Sequence, residues 1–357
     1  MNKYVKKYCV DAMSGMAQGL FASLLIGTII KTLGQQLLRL GTNAVFQFLV
    51  DAGNFATDAH VVGAAMAVGI GFAMHVDALV LFSLVAVGSA ANITGGAGGP
   101  LAVLIIAIIA AEFGSLVSKK TKVDILVTPA VTLLSGALFT VLTAKYIGIA
   151  ANSVGTFIVW TTKLHPFVMG MIVSAVIGIA LTLPISSAAI CAAFGLVGLA
   201  GGAAVAGCCA QMVGFAVLSF KENRWGGILS QGLGTSMLQM PNIIKNPKVW
   251  LPPIITSIIT GPIATCLFKI EMNGAAVSSG MGTCGLVGQI GVISGWYEPS
   301  EAAIAHGATA INPGFMDWLG VILICFVLPA VICWALGKLF RKIGWIKDGD
   351  LSLEQND

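Results

Sequence analysis

The sequence predicts an all-α polytopic membrane protein of about ten transmembrane or re-entrant elements, with both termini in the cytoplasm. Hydrophobic residues make up 57% of the 357 residues and charged residues only 10%, whereas a soluble domain carries about 25% charged residues. Apolar runs that are long enough to span a bilayer, which takes roughly 20 residues, recur from end to end. Lys and Arg cluster at the ends of these runs, where the positive-inside rule can be applied.

The first half of the chain is predicted to hold five spans. The basic N-terminus continues into an apolar run without a small-residue cleavage site, so we expect an uncleaved first span. The spans lie at about 13–34, 59–76, 78–95, 98–117 and 124–144. Two mixed segments, 43–58 and 145–163, are typical of helices that lie at the membrane interface or pack between spans.

The second half is organised by a long run, from Leu164 to Phe220, that contains no Asp, Glu, Lys or Arg. One span cannot use so many residues, and Pro184 and Gly201–Gly202 offer the breaks. The predicted elements are a span at about 165–184, a broken element at 185–199, a crossing at 200–220, and spans at about 249–269 and 315–337. The chain is expected to form one membrane-embedded domain over 1–357.

Five basic clusters predict the topology. They lie at 3–7, 119–122, 221–224, 245–248 and 338–347. Counting the predicted crossings places all five on the same side of the membrane, which the positive-inside rule makes the cytoplasmic side. Lys145 and Lys163 fall on the outer side and are exceptions to the pattern.

The segment 273–291, NGAAVSSGMGTCGLVGQIG, is the strongest candidate for a binding site. It has no charged residue, is too polar and glycine-rich for a lipid-facing helix, and is too apolar for a solvated loop. Backbone of this kind occurs at membrane depth only where protein or a water-filled cavity covers it. We predict a re-entrant hairpin that lines a site for a small neutral solute; a packed gate without a ligand is the alternative. Its candidate binding residues are Asn273, Ser278, Thr283 and Gln289.

Two further blocks of small residues interrupt predicted helices. In GSAANITGGAGGP, 88–100, Asn92 and Thr94 precede a glycine run, which predicts either a tight inter-helix turn or a break that contacts ligand. In TLPISS, 182–187, Pro184 removes a backbone donor and Ser186 and Ser187 follow. Transporters place substrate groups at broken helices of this kind, but a kinked helix with back-bonded serines explains the block equally well.

The remaining candidates are one amide and two ionisable groups. Asn242 belongs to a block rich in Asn and Gln, whose amides supply both donors and acceptors to a polyhydroxy ligand; a cytoplasmic loop held by Asn turns is the alternative. His75 and Glu298 are candidates because ionisable groups near the membrane often mark function, although solvation at span ends also explains them. No catalytic residue, metal site or cofactor is predicted, because the sequence lacks catalytic motifs and the cysteines are scattered without CxxC.

The segments KTKVDILVTP, LPISSAA, QGLGTSMLQMPNIIKNPKVWLPP and GMGTCGLVGQIG together resemble the membrane IIC-like family of the bacterial phosphotransferase system, in the branch that includes perfringolysin-regulator-type proteins. The resemblance runs from about residue 10 to 340. It implies a homodimer in the bacterial plasma membrane that binds a sugar while separate IIA and IIB partners supply the phosphoryl group, since no IIA or IIB domain is fused. The family's sugar-binding glutamate lies in a GITEP-like motif; here only YEP, with Glu298, stands in its place.

Three functional hypotheses follow. The first is a sugar permease that binds and translocates a small, neutral polar solute. The second is a membrane sensor or regulator that keeps the IIC fold without transport. The third is a transporter of another solute such as an organic anion, which the absence of Lys and Arg from most of the candidate blocks disfavours.

Overall fold

The computed structural model describes Tyr4, residues 6–41 and residues 43–353. Lys3 of the predicted N-terminal cluster and the acidic end of the tail, 354–357, lie outside the described residues. Regular structure in the described residues is helical, and only an isolated β-bridge is added. The helices are α1 (Lys6–Arg39), α2 (Ala44–Thr57), α3 (Ala59–Ala73), α4 (Ala78–Gly95), α5 (Gly99–Val117), α6 (Asp124–Thr161), α7 (Pro166–Thr182), α8 (Ser187–Ala193), α9 (Gly198–Leu218), α10 (Phe220–Leu229), α11 (Met240–Lys245), α12 (Pro247–Leu267), α13 (Val287–Tyr297), α14 (Glu301–Ala305) and α15 (Phe315–Lys342).

Six helical segments of the described chain are long and apolar enough to cross a membrane, and the pair α2 and α3, bent by 56°, makes a seventh if it forms one span. The segments are Lys6–Arg39, Ala78–Val117, Asp124–Thr161, Gly198–Leu218, Pro247–Leu267 and Phe315–Lys342. Helix α7 is apolar but shorter. The predicted all-α, multi-pass architecture is therefore confirmed, while the number of ten elements and the side of each terminus stay predictions.

The chain forms two compact units, Met1–Ala151 and Asn152–Asp357. In the first unit, small residues bring α1 against the bent pair α2 and α3. A methyl group at Gly15 would lie 2.2 Å from the carbonyl oxygen of Gly69, and one at Gly19 would lie 2.2 Å from that of Ala65. Membrane helices associate through such small residues because bilayer lipid gives no hydrophobic advantage to larger ones.

The chain reverses between α4 and α5, in agreement with the tight turn that is one of the two interpretations of the glycine block 88–100. A methyl group at Gly114 would lie 3.1 Å from Val80, and Ser118 Oγ donates a hydrogen bond of 2.9 Å to Asp77. Lys119 also forms an ion pair with Asp77, and the hydrogen bonds from Lys119 and Ser118 lower the pKa of this carboxyl group. The apolar segment that contains α4 and α5 is thus an antiparallel helix pair.

Helix α6 differs from the sequence prediction. The predicted span at 124–144 and the mixed segment at 145–163 form one helix, with a π-helical turn at Thr140–Ala144. No Pro interrupts the backbone hydrogen bonds around this turn, so the polar Lys145 does not end the helix.

The second unit is built around α9, in which 16 of the 21 residues are buried. A methyl group at Gly207 would lie 1.9 Å from the carbonyl oxygen of Ser174 on α7. The same contact type joins α7 to α12, where a methyl group at Gly261 would lie 2.1 Å from the carbonyl oxygen of Gly170. Glycine at these positions lets three helices approach at backbone distance.

The chain after α15 folds back over the segment that joins α9 to α12. Asn223 donates a 2.8 Å hydrogen bond to the Leu351 carbonyl, and Asn246 donates one of 2.9 Å to the Trp345 carbonyl. Leu351 is fully buried beneath these contacts. Three of the five basic clusters, 221–224, 245–248 and 338–347, therefore lie at one end of this unit.

Gly207→Ala should destabilise the protein by about 1–3 kcal/mol, because the methyl group overlaps the Ser174 carbonyl and overpacking costs that much. Thermal unfolding in detergent measures the change. Gly226→Ala is the matched control, since no atom lies within 4 Å of a methyl group there. An equal melting temperature for both variants would contradict the close packing of α9.

Acid should loosen the segment 343–353. Hydrogen bonding to Lys221 and the charge of Arg341 hold the pKa of Asp348 below its ordinary value of 3.8, so the contribution of this carboxylate is present above that value and is lost as the pH falls through the lower, folded pKa. Hydrogen exchange of 343–353 should accelerate over that window. In Asp348→Asn the step should be missing and exchange should already be fast at neutral pH; an unchanged acid step in the variant would refute the assignment.

Candidate functional site

The glycine-rich segment, residues 273–291, is an irregular stretch rather than a continuous helix. It contains short 3-10 turns at Ala276–Gly280 and Cys284–Leu286 and then enters α13. Gly282 has φ 53, and a methyl group there would also lie 2.6 Å from Cys208 Cβ on α9. Position 282 therefore requires glycine for two reasons, the positive φ and the close contact with α9.

The hydroxyl groups around this segment bond to protein atoms. Ser187 Oγ donates to the Gly280 carbonyl at 2.7 Å, which ties α8 to the glycine-rich segment. Thr283, fully buried, lies 3.5 Å from the sulfur of Met212. Ser278 is also buried. The hydroxyl groups of Ser187 and Thr283 therefore hold the segment in place.

Gln289 differs from its neighbours because half of its amide has no partner. Its nitrogen Nε2 donates to Cys209 Sγ at 3.1 Å, whereas Oε1 is buried without a hydrogen-bond partner. A buried acceptor left unpaired costs about 1–3 kcal/mol. Each such group in a native protein calls for an explanation, and a bound ligand or water is one.

The other predicted residues lie in several different places. Within the second unit, Ser186 caps α8 by accepting from Ala189 N at 3.1 Å, and Asn242 donates to Gln239 and to the tail at Ser352. Glu298 is exposed just after α13. Within the first unit, Asn92 donates to the Ala59 carbonyl at 2.8 Å, while Thr94 and His75 are exposed.

A short segment, KIEMN at 269–273, becomes extended after Lys269 and positions a second set of polar groups. Met272 pairs with Gly198 through two backbone hydrogen bonds of 3.0 and 3.1 Å. Side chains alternate along extended chain, so Ile270 and Met272 point into the core, where they are buried. Gly202 makes this possible, because a methyl group there would lie 1.8 Å from the Ile270 carbonyl oxygen.

The residues Lys269, Ile270, Glu271 and Asn273 of this segment line a cavity of about 290 Å³. The cavity lies where the C-terminal end of α12 meets α13 and the start of α15. Its polar lining consists of Lys269, Glu271, Asn273, Thr309 and Asp317, and its apolar lining includes Phe268, Trp296 and Ile311. Ligand sites in proteins combine an apolar wall with a few polar groups in this way, at volumes from about 300 Å³. The cavity therefore suits a small ligand.

The charged groups of the cavity do not pair with one another. Among the described residues no ion pair involves Lys269, Glu271 or Asp317. Glu271 accepts from Asn273 Nδ2 at 2.9 Å, and Asp317 accepts from Gly314 N at 2.7 Å. Each carboxylate can accept further hydrogen bonds, so the cavity offers acceptors to ligand hydroxyl groups.

Lys269 has a strained backbone, with φ 47. The left-handed region costs a non-glycine residue roughly 1–2 kcal/mol, and such strain often marks functional positions. Here it turns the chain from α12 into the extended segment. In the sequence, Lys269 ends the predicted span at 249–269 and Glu271 follows it, where solvation accounts for charged residues, so neither was predicted as a site residue. The alternation of polar and apolar residues in KIEMN was the available signal.

A buried amide that was not predicted from the sequence, Gln211, lies in the middle of α9. Its Oε1 accepts from Trp250 Nε1 at 2.9 Å and from Thr182 at 3.2 Å, and its Nε2 donates to Ser257 at 3.3 Å. A lone Gln in the charge-free run 164–220 was the signal. Since its partners are all protein groups, this network joins α7, α9 and α12 rather than marking an open site.

Fold and site together define a class: an all-helical, multi-pass membrane protein with a polar cavity at one end and a half-paired amide in its core. No group of three or more His, Cys, Asp or Glu side chains in the described residues is placed to hold a metal ion. The model of the family described as "Phosphotransferase system, EIIC" matches residues 10–353. The chain belongs to this family and is a membrane permease component of the phosphotransferase-system type. No curated protein and no solved structure gives a significant match.

Lys269→Gly should stabilise the protein by about 1 kcal/mol, because glycine adopts positive φ without the penalty that Lys269 carries. Thermal unfolding measures the gain. Lys163→Gly is the control at a position without positive φ, and it should show no gain. A lower melting temperature for Lys269→Gly than for Lys163→Gly would show that the Lys269 backbone stores no strain.

Proposed function

We propose that the protein is a sugar permease component that binds a small, neutral polyhydroxy solute in the cavity beside Asn273 and translocates it. The observation that carries the proposal is the row of polar side chains, Lys269, Glu271 and Asn273, that the extended segment presents to the cavity. Carboxylate and amide oxygens accept hydrogen bonds from sugar hydroxyl groups, and those to a carboxylate are the stronger. With two carboxylates and one ammonium group, the cavity disfavours an anionic solute.

Its place in the fold supports a role in solute entry. The cavity lies at the C-terminal end of α12 and the N-terminal end of α15, whereas the basic clusters of this unit lie at the opposite ends of both helices. If those clusters are cytoplasmic, as the positive-inside rule predicts, the cavity opens on the outer side.

Helix α13 links the cavity to the interior. Trp296 lines the cavity, and Gln289 begins the same helix seven residues earlier, about 10 Å away at a rise of 1.5 Å per residue. A solute that moves inward along α13 would meet the free oxygen of Gln289. Four of the predicted binding residues would then support this path: Ser186, Ser187, Ser278 and Thr283. A role in binding stays a prediction for Asn92, Thr94, His75, Asn242 and Glu298.

Partners follow from the family. A permease component of this kind acts with IIA and IIB proteins that supply the phosphoryl group, and we propose that these are separate chains here. We also propose a homodimer in the bacterial plasma membrane, with both termini cytoplasmic. Mass measurement of the protein in lipid nanodiscs distinguishes one copy from two.

Asn273→Ala, Gln289→Ala and Glu271→Gln should each weaken solute binding about tenfold or more, since each removes or neutralises a hydrogen-bonding group whose loss costs about 1–3 kcal/mol. A thermal-shift screen of the purified protein against a panel of neutral sugars identifies the ligand, and titration then gives the affinity. Thr162→Ala removes an exposed hydroxyl group that bonds only within its own helix turn and is the control.

Uptake into proteoliposomes, with and without a IIB partner, tests the transport step. Uptake of a sugar that depends on IIB supports the permease. Sugar binding that survives all three substitutions would place the site elsewhere, and the absence of binding by any sugar would refute the proposed solute class. Binding without uptake would favour a sensor.

A further inference from the structure

A second cavity, of about 320 Å³, lies at the end of this unit opposite the polar one. It forms where the C-terminal end of α9 meets the C-terminal half of α15. Leu218, Phe220 and Trp334 provide an apolar wall, and Lys221, Arg224, Lys338 and Arg341 provide four cations. Both helices are apolar membrane-span candidates that end here, so the cavity lies at the level where lipid head groups meet a membrane protein.

Two of the four cations are not neutralised. Lys221 pairs with Asp348 at 2.6 Å, and Arg341 pairs with Glu222 at 2.8 Å as well as with Asp348. Those two carboxylates are the acidic groups bonded to the cavity lining. In the described part of the chain no ion pair reaches Arg224 or Lys338. The cavity is therefore left with positive charge for an anion.

Arg224 is held in an unfavourable backbone conformation, with φ 49 and ψ −143. Conformations of this kind cost about 1–3 kcal/mol and persist where the surrounding structure or a function requires them. Here Arg224 lies at a kink within α10 and lines the cavity.

The apolar wall is open to the surroundings. Trp334 is 52% exposed and Phe220 is 36% exposed, and Lys338 Nζ lies 3.7 Å from the centre of the Trp334 ring. Trp is enriched at the level where bilayer meets water. A soluble phosphate compound would use the cations but not this wall, whereas a phospholipid would use both.

We propose that this cavity binds an anionic phospholipid, with its phosphate between Arg224 and Lys338 and an acyl chain along Leu218, Phe220 and Trp334. Basic cavities between membrane helices on the cytoplasmic side recognise anionic head groups by this combination of charge and apolar contact. The site is independent of the solute that the polar cavity takes.

The test titrates four probes into the purified full chain in detergent and follows thermal unfolding and lipid retention by native mass spectrometry. The probes are phosphatidylglycerol, phosphatidylcholine with the same acyl chains, glycerol phosphate and inorganic phosphate. Phosphatidylglycerol should be retained and should raise the melting temperature, and the other three should not. Equal effects of the two lipids, or an equal effect of a soluble phosphate, would overturn the proposal.

Variants assign the effect to the cavity. Lys338→Gln and Arg224→Gln should each weaken phosphatidylglycerol binding about fivefold, the loss expected for one basic residue near a lipid surface. Lys342→Gln removes the same charge one turn further along, from an exposed residue outside the cavity, and should have a smaller effect. Arg224→Gly relieves the backbone strain as well, so it should weaken lipid binding without loss of folding. A loss for Lys342→Gln that equals the loss for Lys338→Gln would show general electrostatic attraction and refute a site.

Discussion

The second unit depends on the close approach of backbones around α9. Glycine at 202 and 207 lets the carbonyl groups of Ile270 and Ser174 reach positions that any side chain would occupy. Packing of this kind relies on many weak contacts over a long surface, because a bilayer offers no hydrophobic gain to larger side chains. The contact between Gly202 and Ile270 also holds the extended segment against α9, and this segment forms one side of the polar cavity.

This close packing determines which polar groups remain available. Gln211 meets Thr182, Ser257 and Trp250 because three helices bring their side chains together, and a buried amide without partners would be costly there. In the glycine-rich segment, Ser279 Oγ likewise donates to the Leu196 carbonyl and Thr283 Oγ1 to the sulfur of Met212. The Gln289 oxygen and the cavity carboxylates differ from these groups, because their protein partners do not use all of the hydrogen bonds that they can accept. These acceptors are therefore the groups that remain able to bind a ligand.

The sequence was sufficient for the features that depend on local composition. Apolar runs predict the membrane class, and the glycine block before α5 predicts the chain reversal that Val80 and Gly114 display. The sequence was insufficient for features that depend on long-range packing. Lys145 reads as the start of an interfacial helix, yet α6 continues through it. Lys269 reads as a solvated span end, because nothing local reveals that Met272 pairs with Gly198, about 70 residues earlier, and so turns Lys269 towards a cavity.

Charge then distinguishes the two ends of the unit. Helices α12 and α15 carry the polar cavity at one end, where two carboxylates outnumber one ammonium group, and the basic clusters at the other. The positive-inside rule uses Lys and Arg to orient the chain, but the same residues also remain in the folded protein as unpaired cations at the membrane surface. Arg224 and Lys338 keep that charge because the carboxylates Glu222 and Asp348 bond to other cations. On the proposal of a phospholipid site, the residues that favour one orientation of the chain are therefore also the ones that would bind anionic lipid at its basic end.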